Sequence, residues 1–300
     1  MEKSKLKGLL VGKFLDAVEY VIIPILHRST RDLKGVENLR YGDGPREELD
    51  VLYKDDDKKK PLLIYIHGGG FISGVRKMRK YICADYARAG YVVFNVDYEL
   101  APRKQFPYQL KQLFKAIEYV CDNADNYNVD LNKIVIAGES AGAYFASYVC
   151  AIIKNKSLYE KLDIDFKYKD EIDVNSAVLL NGCYSAKSMS SINFPNMPTF
   201  VESFFGISKK DISNLLECEL ATYSALEQIG NNYPLTVVGR SKADGLDAES
   251  VRLIEKLKEK SVPYVEFMAG GINSPHGWCL ATFTKEGKRC LNITLEAIEQ

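Results

Sequence analysis

Gly138-Glu139-Ser140-Ala141-Gly142 follows the apolar run Ile134-Val135-Ile136-Ala137 and leads into a long apolar-patterned segment. A serine between small residues at such a junction has a plain structural reading, because Gly and Ser punctuate turns. It also has a chemical one: Gly-x-Ser-x-Gly between a strand and a helix forms a nucleophile elbow. The five residues alone are a weak signal. The strand before them and the helix-forming segment after them are the context that the chemistry needs.

A serine nucleophile creates a tetrahedral oxyanion, which preorganised backbone N–H groups stabilise. His67-Gly68-Gly69-Gly70-Phe71 directly follows the apolar run 62–66 and matches the glycine-rich oxyanion loop of lipases and esterases. A phosphate cradle is the other reading, but the spacing fits neither GxGxxG nor a P-loop. Gly68, Gly69, Gly70 and the amide of Ala141 are therefore the candidate donors.

Serine also needs a base. Of three histidines, His67 belongs to the glycine loop and His27 ends an N-terminal helix, where a cation suits the helix dipole. His276, in Ser274-Pro275-His276-Gly277-Trp278 after the last strand, remains. An acid is expected between Ser140 and His276, at a strand end. Asp244 and Asp247 both qualify; Asp247 also suits the N-cap of the next helix, and Asp244, nearer the strand, is preferred.

These residues need a scaffold. Strands are predicted near 36–41, 47–53, 62–66, 91–96, 134–137, 177–180, 235–238 and 264–267, with helices near 76–89, 107–124 and 248–260. Apolar strands alternating with helices indicate an α/β fold, a mostly parallel sheet of about eight strands covered on both faces. Leu6, Leu10, Phe14, Val18, Val21 and Ile25 recur at helical spacing, so 4–26 reads as an amphipathic helix packed on its own domain, bent or ended by Pro24. Attachment to a membrane surface is the lesser alternative. Residues 186–230 break the alternation and carry Phe194, Phe200, Phe204 and Phe205; they read as short helices forming part of a lid.

Composition narrows the function. Lys+Arg 40 balance Asp+Glu 40, which gives no basic footprint for nucleic acid. Seven scattered cysteines without CxxC spacing argue for reduced thiols in the cytoplasm and against metal ligation. The N-terminal apolar run is broken by Lys13 and Asp16, so no signal peptide is expected, and Tyr20–Leu26 is too short to span a bilayer.

Together, His67–Gly70, Asp97-Tyr98-Glu99-Leu100-Ala101-Pro102 with Phe106-Pro107, Gly138–Gly142 and His276-Gly277-Trp278 resemble the hormone-sensitive-lipase-like α/β-hydrolase carboxylesterases, from about residue 36 onward. The resemblance implies an α/β-hydrolase fold in one domain over 1–300, with cap elements near 4–30 and 186–230. It implies Ser140 as nucleophile, His276 as base and Asp244, in Asp244-Gly245-Leu246, as acid. Two departures stand out: Glu99 replaces the family's arginine, and the loop before Asp244 is slightly longer.

The expected activity is cleavage of small short-chain carboxylic esters through an acyl-enzyme, with no cofactor or metal. Deacetylation of acetylated sugars, aryl-amidase activity and a non-catalytic ligand-binding protein are the alternatives. Phe71, Phe200, Phe204, Phe205 and Trp278 supply apolar area for a substrate pocket, although core packing is the ordinary role of each. The expected partner is a small-molecule ester, without nucleic acid or stable membrane insertion; a homodimer is left open.

Overall fold

Alternation along single strands explains the layering. In β3 (Lys60–Ile66), Leu62, Ile64 and Ile66 enter one apolar core and Leu63 and Tyr65 the other, as the two-residue period of a strand requires. The computed structural model describes residues 2–212, 214–271 and 274–299. Its sheet contains β1 (Lys34–Arg40), β2 (Glu48–Tyr53), β3, β4 (Val92–Val96), β5 (Val129–Glu139), β6 (Ser176–Leu180), β7 (Leu235–Ser241) and β8 (Tyr264–Ala269).

The eight strands lie in the order β1-β2-β4-β3-β5-β6-β7-β8. Pairs β1–β2 and β2–β4 are antiparallel, and every other pair is parallel. This is the α/β-hydrolase fold, with each expected strand in place.

Helices α3 (Tyr108–Asp122) and α4 (Ala141–Lys154) and the helix Asp247–Glu259 bury their apolar sides in one core. α2 (Arg76–Arg88) and the terminal helix Lys285–Ile298 cover the other. That terminal helix was not legible as a separate element; Thr284 caps it by accepting from the Gly287 amide.

The N-terminal segment corrects one expectation. Helix α1 (Glu2–Leu26) runs two residues past Pro24. Its periodic stripe does not face the domain: Leu6, Leu10, Phe14, Val18, Val21 and Ile25 are between 40% and 72% exposed. The opposite side packs instead, through Gly8, Val11, Gly12, Leu15 and Ile22. Glycine decides which side goes in. A Cβ on Gly12 would lie 2.4 Å from Ile72 O, and one on Gly8 2.3 Å from Ser203 Oγ, so only a bare backbone approaches that closely. No helix among the described residues is long and apolar enough to cross a membrane.

Residues 186–230 form the short helices Ala186–Met189, Met197–Phe205, Lys209–Ile212 and Glu217–Thr222. α1 lies across Met197–Phe205. The carboxylate of Glu249, fully buried, accepts the Tyr184 and Ser185 amides at 2.8 and 3.1 Å and so fixes where this segment leaves the sheet.

Candidate active site

β5 ends at Glu139 and α4 begins at Ala141, so Ser140 carries the reversal between them. Its backbone has φ 55° and ψ −123°, a conformation that crowds Cβ in any L-residue. The flanking glycines make the turn feasible. A Cβ on Gly138 would lie 2.4 Å from Gly142 O, and one on Gly142 2.1 Å from Ile66 O. The Ser140 amide donates to Leu180 O of β6 at 2.9 Å, which pins the elbow to the neighbouring strand.

Ser140, His276 and Asp244 come together although 136 residues separate the outer two. Ser140 Oγ is 2.9 Å from His276 Nε2, and His276 Nδ1 is 2.9 and 3.0 Å from the two carboxylate oxygens of Asp244. Asp244 is buried, and the Leu246 amide and Asn181 Nδ2 donate to it at 2.9 and 2.6 Å. With its lone pairs held by three donors, the carboxylate has one orientation open to it. Asp247 is turned elsewhere, taking Arg240 Nε and Nη2 at 2.9 and 2.8 Å.

Asn181 was missed in the sequence. Its signal was available in an Asn-Gly pair directly after the strand; the structure holds Asn181 at φ 50°, a conformation asparagine tolerates better than most residues.

The glycine loop is fixed from beneath by charge. His67 is wholly buried, with Nε2 2.8 Å from Asp97 Oδ1 and Nδ1 2.7 Å from Gly68 O. Arg46 and Arg76 also pair with Asp97. Burial alone would raise the Asp97 carboxyl, but His67 and Arg46 outweigh it and hold its pKa at about 2. Tyr98 donates to His67 O at 2.7 Å. Glu99, the departure from the family pattern, is buried; its amide donates to Gln112 Oε1, and its carboxylate lies 3.9 Å from Arg103.

Gly68 needs correcting as an oxyanion donor. Its amide donates to Glu139 Oε1 at 2.6 Å and is already occupied. The amides of Gly69, Gly70 and Ala141 have no protein acceptor among the described residues. Gly69 and Gly70 hold φ of 127° and 60°, and a Cβ on Gly70 would strike the Phe200 ring at 2.7 Å.

A cavity of about 260 Å³ opens beside Ser140 and His276. Phe71 and Phe200 line it, as expected, together with Leu15 of α1, Phe194, Met197 and Leu246. Phe204, Phe205 and Trp278 do not. Phe204 stacks on Phe71 with ring centroids 4.1 Å apart, and Phe205 packs beside it against Tyr223; both fill the core behind the cavity. Trp278 packs against Phe267 in the core on the opposite face of the sheet. Phe194, in sequence only one aromatic of the 186–230 segment, meets the His276 imidazole edge-on at 5.0 Å.

All seven cysteines are unpaired, and six of them are buried. Cys183 lies in the cavity wall, where burial pushes its thiol pKa up.

Comparison with known proteins agrees with this architecture. An esterase of Gibberella moniliformis is 26% identical over 243 residues, covering 77% of this chain and 71% of its own. Hormone-sensitive lipase of Mus musculus is 32% identical over 116 residues, 38% of this chain and 15% of that protein. Among solved structures, esterase B from Lactobacillus Rhamnosis superposes with a TM-score of 0.85 at 18% identity, covering 99% of this chain and 95% of that one. The same esterase has been solved inhibited by a C4-C4 SN3 tributyrin phosphonate. The family model BD-FAE matches residues 49–254. The chain therefore belongs to the BD-FAE family and, with it, to the hormone-sensitive-lipase-like α/β-hydrolase carboxylesterases, serine hydrolases of carboxylic esters.

Proposed function

We propose that the protein cleaves small, short-chain acyl esters through an acyl-enzyme on Ser140, with His276 as general base and Asp244 as its orienting acid. The observation that carries this is the unbroken chain Ser140 Oγ, His276 Nε2, His276 Nδ1, Asp244, with every link between 2.9 and 3.0 Å. As Oγ attacks the ester carbonyl, Nε2 takes its proton, and Asp244 stabilises the imidazolium that results. The carbonyl oxygen becomes an oxyanion facing the free amides of Gly69, Gly70 and Ala141. Collapse of the intermediate expels the alcohol, which takes the proton back from Nε2. A water, deprotonated by the same nitrogen, then releases the acid.

Chain length follows from volume and lining. A cavity of about 260 Å³ lies just below the usual range of ligand pockets, roughly 300–1,000 Å³. Its walls are mostly apolar, which suits an alkyl acyl group better than the hydroxyls of a sugar. Leu15 on one side and Phe194–Phe200 on the other act as the cap, held over the site by α1 and the 186–230 segment.

The test is a p-nitrophenyl ester series from acetyl to octanoyl, run on the native protein and on Ser140→Ala. Activity should peak at short chains. Ser140→Ala should keep only the residual rate that binding and the oxyanion hole supply, some 10³–10⁴-fold above water. A phosphonate probe that labels another serine, leaving Ser140 unmodified, would overturn the assignment.

A further inference from the structure

The outward face of α1 has no partner among the described residues. Leu6, Leu10, Phe14, Val18, Val21 and Ile25 form a continuous apolar row, with Tyr20, 60% exposed, on its flank. At a rise of about 1.5 Å per residue this row is roughly 30 Å long. Scattered exposed apolar residues are ordinary, whereas a contiguous strip marks an interaction surface.

Charge says what covers it. Lys3 and Lys7 fall in line with the row at its N-terminal end, and Lys13 lies along its edge. All three are exposed, and none makes an ion pair among the described residues. Two carboxylates farther along the helix behave oppositely. Asp16 turns inward to accept the Gly74 amide at 3.0 Å, and Glu19 turns inward to Arg79 at 3.0 Å. The exposed face thus combines apolar groups with unpaired ammonium groups.

We infer that α1 docks the protein, peripherally, on an anionic lipid surface. The apolar row enters the acyl boundary while the lysines reach the phosphates, as in amphipathic helices that lie in the membrane plane. Aromatic side chains such as Phe14 and Tyr20 favour that interface. Here the body of the protein takes the place of the usual polar face. A second copy of the chain fits less well. Pairing two such faces would bury lysines against apolar side chains, and desolvated, unpaired charge is costly. The same helix supplies Leu15 to the cavity wall, so the docked helix is also one side of the candidate active site.

The experiment is flotation with vesicles of phosphatidylcholine alone and of equimolar phosphatidylcholine and phosphatidylglycerol, alongside size-exclusion chromatography. The protein should float with the anionic vesicles and lose much of that binding in high salt. Leu10→Gln/Phe14→Gln/Val21→Gln should lower the partition constant by about tenfold or more, with hydrolysis of soluble p-nitrophenyl acetate unchanged as the control for folding. Lys3→Gln/Lys7→Gln/Lys13→Gln should remove the salt-sensitive part. The inference does not rest on the catalytic assignment, so Ser140→Ala must bind vesicles like the native chain. Absence of flotation with both compositions would overturn it. So would a dimer that the triple glutamine variant converts to monomer.

Discussion

Glu139 Oε1 accepts the Gly68 amide at 2.6 Å while Arg79 Nη2 approaches the same oxygen at 2.7 Å. One carboxylate, next to the serine in sequence, thus ties the elbow to the glycine loop. Arg79 continues the chain to Glu19 of α1 at 3.0 Å. Burial works against the Arg79 charge, but the two carboxylates outweigh it and raise its pKa. Glu139→Ala should leave Arg79 and the Gly68 amide short of a partner and cost about 3–5 kcal/mol. Glu139→Gln keeps an acceptor for Gly68 and should retain most of kcat while still losing stability. Urea denaturation and ester kinetics on both variants check this.

The acid can be separated from its neighbour. Asp244→Asn should lower kcat by about 10⁴, because an amide no longer holds the imidazole in the productive tautomer. Asp247→Asn breaks the paired contacts to Arg240 and should cost about 1 kcal/mol of stability, with kcat essentially unchanged. Both variants measured side by side, with circular dichroism for folding, decide it. A dead Asp247→Asn would contradict the assignment.

Asn181 holds the Asp244 carboxylate from behind. Asn181→Ala should lower kcat by roughly 10–100-fold, as loss of an outer-shell partner commonly does, and leave KM nearly unchanged because Asn181 does not line the cavity. An effect on KM alone would show that it acts on binding.

Asp97 sets an acid limit on the fold. Its folded pKa of about 2 is depressed from 3.8, so its stabilisation is complete above the unfolded value and is lost as pH falls through the folded one. The loss should reach about 2 kcal/mol, at about 1.4 kcal/mol per unit. Asp97→Asn begins from lower stability, with Arg46 deprived of its counter-ion and Arg76 left with Asp50 and Glu48. Its stability should then change less than the native protein's between about pH 4.5 and about pH 2. Urea midpoints across that interval provide the measurement; parallel curves would contradict it.

What the sequence revealed, and what it hid, has a physical pattern. Strands and elbow were legible because they depend on local signals: apolar runs, glycines, a serine at a junction. Ser140 and His276 could be paired because only one histidine lay free of other duties. The packing side of α1 was not legible. Both faces of that helix are apolar, and the choice falls to Gly8 and Gly12, whose value appears only against Ile72 and Ser203. Phe204, Phe205 and Trp278 were misplaced for a related reason: an aromatic near the site reads the same in sequence whether it lines a cavity or backs it. Gly68 matched its motif, but its amide was claimed by Glu139, 71 residues away.

Ser140, Asn181, Asp244 and His276 each follow a different strand, and those strands, β5, β6, β7 and β8, are consecutive neighbours in the sheet. No short fragment of the chain holds the assembly, and a one-residue slip of one strand would carry its residue about 3.3 Å out of line. Contacts so distant in sequence close late, after their loop entropy has been met. Turnover is therefore a stricter gauge of nativeness than helix content. On refolding from denaturant, the far-ultraviolet signal should recover ahead of ester hydrolysis, and the interval between them times the final alignment of this half of the sheet.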